Sequence, residues 1–374
     1  MSRGAAGGPP RVLFLGVTYA GHETRFLNLE AHTRADPRIR PRYRRVTGWQ
    51  PGGLLERVPG LPRPVKGRLR AVATAAAVAR LPRPDVIWTS GGVALVPHLW
   101  SQLGPLRRPL VLDLDWTLEQ QEALAPAYYA RAAKRGARLA LARAQERALW
   151  RATSTFSPWS TWAAESLAAQ GVPRERIRVL PPGVDLDAWR QRPELRDTSE
   201  GPLRLLFVGG NFARKGGDLL LELVRERFAA RCELDIVTRE PVAPTPGVRV
   251  HRATPNSPAL RELYARADLF VMPTRAECFG IATVEAMASG LPVVVGNVGG
   301  AGDIVDEGST GWLIDPTAEA LAQALERALA QRAELPAFGE RARRVAEQRF
   351  DARRNATRTV DLIVELAERA RADG

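Results

Sequence analysis

"LRLLFVGGNFARKGGDLLLELVRERF", residues 203–228, decides the fold. Its first six residues are apolar apart from Arg204, as expected of a strand buried on both faces of a parallel sheet. Gly209 and Gly210 end the run, and the leucines after Gly217 continue as a helix. The same strand–turn–helix unit has already run through the first half of the chain. There, "RVLFLGV" (11–17), "PDVIWTS" (84–90), "RPLVLDLDW" (108–116) and "ATSTFSP" (152–158) read as strands. "TYAGHETRFLNLEAHT", alanine- and arginine-rich stretches and "STWAAESLAAQG" read as the intervening loop and helices, and "RIRVLPPGVD" as a strand entering a Pro-Gly turn. After residue 203 the pattern restarts with strands at "CELDIVT", "GVRVHRA", "DLFVMP" and "LPVVVGN". Alternating strands and helices predict doubly wound parallel sheets, and the restart predicts two of them. The boundary falls in the Pro-rich, aperiodic "PPGVDLDAWRQRPELRDTSEGP" (181–202).

A chain of 374 residues agrees with two cores. No apolar run approaches the ~18 residues of a membrane span. "VLFLGV" is too short and wrongly flanked for a signal peptide, so a cytoplasmic setting is expected. The two cysteines, Cys232 and Cys278, give no metal-ligand spacing and no disulfide framework. The net charge of +13 is carried almost wholly by arginine, since the lysines are only Lys66, Lys134 and Lys215. Such a balance suits nucleotide phosphates, an anionic membrane face or nucleic acid, and equally an arginine-rich solvated surface.

Ligands in doubly wound sheets sit beyond the C-terminal strand ends. Two such junctions carry suggestive residues. At the first, Gly209 and Gly210 allow close backbone approach, the helix beyond Gly217 presents free N–H groups, and Arg214 and Lys215 add cations. This outlines a diphosphate site, or else a Gly-rich turn with two solvated bases. The spacing fits neither a Walker A loop nor GxGxxG. At the second, "AECFGIATVEAMASG" (276–290) places Glu277 before a helix, Gly280 at its start and Glu285 in its first turns. Amides from Gly280 to Thr283 suit a phosphate, Glu285 a ribose diol and Glu277 sugar hydroxyls. The plainer reading makes Glu277 a helix cap and Glu285 a solvated acid.

The E-x7-E pair in "PTRAECFGIATVEAMASGLPVVVGNVGG", together with "FVGGNFARKGG", "VLPPGVDLDAW" and "GSTGWLIDP", resembles the retaining glycosyltransferases of family 4, which have the GT-B fold. The resemblance is dense from Phe156 to Pro316. It implies an acceptor-binding Rossmann-like domain at 1–185, joined by a helix at 350–374 that crosses back, and a nucleotide-sugar domain at 186–349. It assigns Lys215 to the donor diphosphate, Glu285 to ribose and Glu277 to the donor sugar. Phe279, Gly280, Ile281 and Ala282 line the donor through their backbone. The family often has arginine where Gly210 stands, so Arg214 is expected to supply that charge. It commonly has glycine where Cys278 stands, and many members have histidine where Asp115 stands. Asp115 is read either as polarising an acceptor hydroxyl or binding the donor sugar, or as capping the following helix through Trp116 and Thr117. Gly16, Gly21 and His22 belong to the loop that resembles the family's acceptor-side loop and are expected to approach the donor phosphates, His22 being otherwise an exposed loop histidine.

Cleaving a glycosyl–phosphate bond leaves negative charge on the diphosphate, which fixed cations and helix N-termini stabilise. A metal-independent enzyme without a cofactor is therefore expected, using a UDP- or GDP-sugar and a glycan, lipid-linked or small-molecule acceptor. The resemblance implies retention of configuration. Glu277 and Glu285 stand on one side of the donor and do not form a glycosidase pair. The basic stretches "RPVKGRLRAVATAAAVARLPRP" (63–84) and "RAAKRGARLALARAQERALWRAT" (131–153) suit peripheral contact with an anionic inner membrane face, or ordinary solvated helices. The rival readings are a sugar-nucleotide epimerase, a phosphorylase, disfavoured by the lack of a cofactor lysine, and a nucleic-acid binder. No nucleic-acid partner is expected, because the arginines are not interleaved with aromatics beyond Tyr43 and Trp49.

Overall fold

β1 (Arg11–Val17) is buried from Val12 to Val17 and lies inside a five-stranded sheet. In the computed structural model, which describes residues 8–17, 20–46, 82–91, 108–129, 132–195 and 201–372, it pairs with β2 (Arg40–Val46) and β3 (Val86–Ser90). β4 (Leu110–Leu114) and β5 (Thr155–Pro158) complete the order β2-β1-β3-β4-β5, every pair parallel. The edge strand β2 exposes Arg40, Arg42, Arg44 and Arg45. Charge on an unpaired edge discourages pairing with another chain, which accounts for part of the arginine excess.

The second sheet holds β6 (Leu203–Val208), β7 (Cys232–Val237), β8 (Val248–His251), β9 (Leu269–Met272), β10 (Val293–Gly296) and β11 (Gly311–Ile314). Its order is β11-β10-β9-β6-β7-β8, again wholly parallel. The strand order reverses between β6 and β9, so the loops leaving these two neighbours diverge and leave a crevice. Both of the loops singled out in the sequence leave the sheet there.

The helices that matter to the site are α1 (Ala20–Thr33), α2 (Leu118–Tyr129), α3 (Gly136–Ala152), α4 (Thr161–Ala169), α5 (Gly217–Leu223), α6 (Pro258–Arg266) and α7 (Ile281–Ala288). The leucine run after Gly217 is α-helical only to Leu223 and continues as a π turn to Phe228. "RIRVLPPGVD" is not a strand: Ile177 makes one isolated bridge to Phe156, and the prolines at 181 and 182 have no N–H for a ladder. Of the basic run at 63–84, residues 63–81 lie outside the described residues. In the other, α3 is largely exposed, with Leu141 on its surface.

The terminal helix, Ala352–Ala372, repeats small and branched residues at three- and four-residue intervals. Its Ala356, Val360, Ile363 and Leu366 are buried with Val12, Phe14 and Trp88 of the first sheet. Burying each such branched side chain contributes about 1.5–3 kcal/mol. The two chain crossings meet backbone to backbone, as the Val184 N–H donates to the Phe350 carbonyl (2.9 Å) and the Ala352 N–H donates to that of Val184 (3.1 Å).

Candidate active site

The loop after β6 and the loop after β9 are tied together before any ligand is considered. The Arg275 N–H donates to the Arg214 carbonyl (2.9 Å), the Thr274 hydroxyl donates to the same oxygen, and Arg275 pairs with Asp218 at 2.7 Å. Gly216 makes this fit possible. Its φ is +77°, and a Cβ there would lie 2.2 Å from the Pro273 carbonyl oxygen. Gly216→Ala is expected to cost at least the ~1–3 kcal/mol of a left-handed non-glycine residue and to shift the Lys215 loop. A lowered urea midpoint together with a changed nucleotide Kd would show it.

Lys215 and Glu277 meet across these loops, Nζ to Oε2 at 2.9 Å, and Arg214 Nη1 stands 3.8 Å from the same oxygen. Arg214 also donates to the Ala276 carbonyl at 2.5 Å and stacks on the ring of Tyr128, 4.2 Å from its centroid. Burial by itself would push the Glu277 carboxyl up. The charges of Lys215 and Arg214 more than offset that, and Glu277 is held below the usual carboxylate range. Glu277 does not cap α7: its Oε1 accepts from the Cys278 N–H (3.2 Å), and no side chain caps the helix. Gly280 starts α7 at φ +102°, and a Cβ there would meet no atom nearer than 3.4 Å. The backbone conformation, rather than crowding, therefore demands glycine. Gly210 also has open space beside it.

Glu285 is not a solvated acid. It is 7% exposed and accepts from the Tyr264 hydroxyl at 3.2 Å. Burial raises its pKa to about 7, against the lowering effects of Tyr264 and Lys215. A carboxyl whose pKa is raised on folding, here from 4.5, contributes stability that is full below the unfolded value and lost as pH climbs through about 7. Glu285→Gln, neutral throughout, is therefore expected to gain on the wild type between pH 5 and pH 8, by on the order of 1–3 kcal/mol. Urea melts of both proteins across that range measure it, and parallel curves would remove the assignment. Tyr264 gives no signal in the sequence beyond its place on the buried stripe of α6.

The first domain brings His22 and Asp115 to the facing side. His22 Nε2 lies 3.3 Å from Asp115 Oδ2, and the imidazole pKa is raised: burial opposes the charged form, and Asp115 outweighs it. The Cys278 thiol faces Asp115, and burial followed by the Asp115 and Glu277 charges pushes it well above its usual range. Asp115 does not cap α2. Thr117 does, its carbonyl accepting from the Gln121 N–H (2.9 Å) while Gln120 Oε1 accepts from the Thr117 N–H (3.0 Å). Two residues before Asp115, Asp113 is fully buried and accepts from Arg25 (2.9 Å), Trp159 Nε1 (2.7 Å) and Ser157 (3.3 Å).

The domains touch around these groups. Trp159 packs on His22 (4.6 Å between centroids) and edge-on to Phe279 (6.1 Å). A Cβ on Gly21 would stand 2.9 Å from Ile281, which puts the start of α1 against the start of α7, where Ala282 also lies. Thr161, at the start of α4, donates to Asp303 through its N–H and hydroxyl. Gly16 lies deeper: β1 continues through it, and the Phe26 ring fills the space beside it. His251, at the end of β8, is paired with Asp235 at 2.6 Å. The structure thus converges Lys215, Arg214, Glu277, Cys278, Asp115 and His22. It adds Tyr128 and Trp159, which no motif in the sequence singles out.

Two sequence profiles match the chain, "Glycosyl transferase 4-like domain" over residues 14–183 and "Glycosyl transferases group 1" over residues 202–331. The chain belongs to the family 4 glycosyltransferases. Among curated relatives, this family 4 chain is 33% identical over 218 residues to the D-inositol 3-phosphate glycosyltransferase of Gordonia bronchialis, covering 50% of the chain and 47% of the relative. It is 34% identical over 204 residues to that of Rhodococcus opacus, covering 47% and 45%. The chain spans about half the length of the curated relatives it matches. Its fold is that of sucrose-phosphate synthase from Thermosynechococcus elongatus, with a TM-score of 0.74, 20% identity and coverage of 96% of this chain and 99% of that one. HepE of Anabaena, solved with UDP and glucose, gives 0.69 at 18% identity, covering 95% and 100%. The fold is GT-B, two Rossmann-like domains facing a cleft. Among the described residues no helix is long and apolar enough to cross a membrane.

Proposed function

We propose that the chain transfers a sugar from a nucleoside diphosphate donor to an acceptor hydroxyl with retention of configuration. The observation that carries this reading is the convergence of Lys215, Arg214 and Glu277 on one uncapped helix start, with Glu285 buried further along the same helix. Lys215 and Arg214 neutralise the departing diphosphate, and α7 turns its N-terminal amides and positive dipole end to it. Glu285 accepts from the ribose diol, Glu277 from the donor sugar. On the facing domain Asp115, paired with His22, helps to position the acceptor. The donor phosphate takes the acceptor proton as the glycosyl–oxygen bond breaks and the new bond forms on the same face. HepE is solved with UDP in this fold, so a UDP-sugar is the first donor to try, followed by a GDP-sugar.

The test is a thermal-shift screen of nucleoside diphosphates followed by transfer from the matching sugar, with the anomeric configuration of the product read by NMR. A nucleotide at ~100 times its Kd adds about 2.7 kcal/mol to the folded state. No shift with any nucleotide would remove the reading, and an inverted product would remove retention. Because protein cations serve the diphosphate, EDTA is expected to leave the initial rate unchanged, and a rate restored only by added Mg²⁺ or Mn²⁺ would contradict that.

A further inference from the structure

The Arg214 guanidinium belongs to the loop after β6 in the second domain, and the ring it lies over, Tyr128, belongs to α2 in the first. Its Cζ stands 4.2 Å from the ring centroid, so the contact spans the cleft. Both sides of it are held. In the second domain the Arg214 N–H donates to Asn211 Oδ1 (2.9 Å), its carbonyl accepts from the Arg275 N–H (2.9 Å), and Nη1 donates to the Ala276 carbonyl (2.5 Å). In the first, Trp116 meets Tyr128 edge-on at 4.8 Å and Tyr129 meets it at 4.9 Å. The helix α2 is itself pinned by Glu146, which accepts from the Leu118 N–H (2.7 Å), and by Gln120, which donates to the Trp162 carbonyl (2.8 Å). The Tyr128 hydroxyl is pushed up by burial and then by the charges of Cys278, Glu277 and Asp115, so the ring lies among groups of both domains that converge on the site.

A guanidinium over a tyrosine is attracted by the negative ring face, most strongly where water is excluded. The Arg214 side chain is 12% exposed, so water screens the contact little. A ring face takes up no N–H, so it fixes the cation and still leaves N–H groups for phosphate oxygens. A freely rotating arginine would lose its rotamer freedom each time a diphosphate bound, and here the ring has already restricted it. We propose that Tyr128 is a positioning residue of the donor site, supplied by the first domain. It presets Arg214 for the diphosphate, and the donor site is complete only while the two domains are in contact. The proposal rests on the transferase reading above and adds to it a residue and a coupling. Linkage makes the effect reciprocal: the factor by which the ring raises nucleotide affinity is the factor by which bound nucleotide favours the domain contact.

The experiment is a double-mutant cycle on the full chain, with the Kd for UDP and for GDP measured by titration calorimetry. Tyr128→Leu is expected to raise the Kd of the nucleotide that binds by about three- to tenfold, the effect of losing one water-excluded ring–cation contact. Tyr128→Phe keeps the ring face and should hold the Kd within about twofold of the wild type. In an Arg214→Met background, Tyr128→Leu should change the Kd by less than about twofold, because the cation it positions is gone. A ring that only packs α2 would weaken binding equally in both backgrounds. If Tyr128→Leu does not fold, Tyr128→Met takes its place in the cycle, since it fills the volume without a ring face. An unchanged Kd in the ringless variant, the same loss with Met at 214, or a Tyr128→Phe variant as weak as the ringless one would each overturn the proposal and leave the donor reading standing. If neither nucleotide binds the wild type, the donor reading fails instead, and the proposal falls with it.

Discussion

Replacing Lys215 by alanine is expected to lower the transfer rate by about 10²–10³-fold, the usual cost of deleting one donor that stabilises developing negative charge, or ~3–4 kcal/mol. The effect should fall on kcat and kcat/KM together, because the diphosphate carries more charge in the transition state than in the bound donor. The substitution also strands Glu277 with Arg214 at 3.8 Å as its nearest cation. Some loss of stability at neutral pH is therefore expected alongside the rate loss. A Lys215→Ala/Glu277→Gln double variant isolates the stability effect, since Glu277 itself serves the donor and its loss also lowers the rate. Gln carries no charge to strand, so stability should return while the rate stays low. Full activity in Lys215→Ala, with initial rates measured at saturating donor, would end the diphosphate assignment.

Arg25→Met is expected to destabilise the first domain by about 3–5 kcal/mol, the range for removing one partner of a buried ion pair. Arg25 is 4% exposed and Asp113 is not exposed at all, so the Asp113 charge would be left among apolar strands. Trp159 and Ser157 would still donate to it, but neither carries a compensating charge. Arg25 also donates to the Pro181 carbonyl (2.9 Å), so the same change loosens the chain crossing. Asp113→Asn also strands a charge, that of Arg25, and is expected to cost less only because the guanidinium keeps the Pro181 carbonyl and the new amide oxygen as acceptors. Urea unfolding of the two variants would check the order, and an Arg25→Met midpoint equal to the wild type would show that the pair contributes nothing.

Much of the fold is legible in the sequence because its determinants are local. Continuous apolar runs ending at glycine announce buried parallel strands, and their restart at Leu203 announces a second sheet. The loops that carry Lys215 and Glu277 stand out for the same reason: a strand end, a glycine and a helix start are neighbours along the chain. Asp115, too, is legible as a residue at a strand end. What it does there is not, since its partners are 93 residues upstream at His22 and 163 downstream at Cys278. Tyr128 and Trp159 give no sign of their place because an aromatic on a helix or after a strand looks like core until the facing domain is in position.

The sequence by itself determined the two sheets, the glycine turns and the chemical types offered at each strand end. The tertiary structure alone decided which strand ends converge, through the reversal of order between β6 and β9. It also decided the charge states. Glu277 and Glu285 are the same residue type eight positions apart, one in the loop before α7 and one within it, yet packing gives the first two cations and the second a tyrosine in an apolar wall. The first is held ionised, and the second titrates near neutrality. Desolvation and Coulomb interaction depend on distances between groups far apart in the chain, and no local pattern encodes those distances.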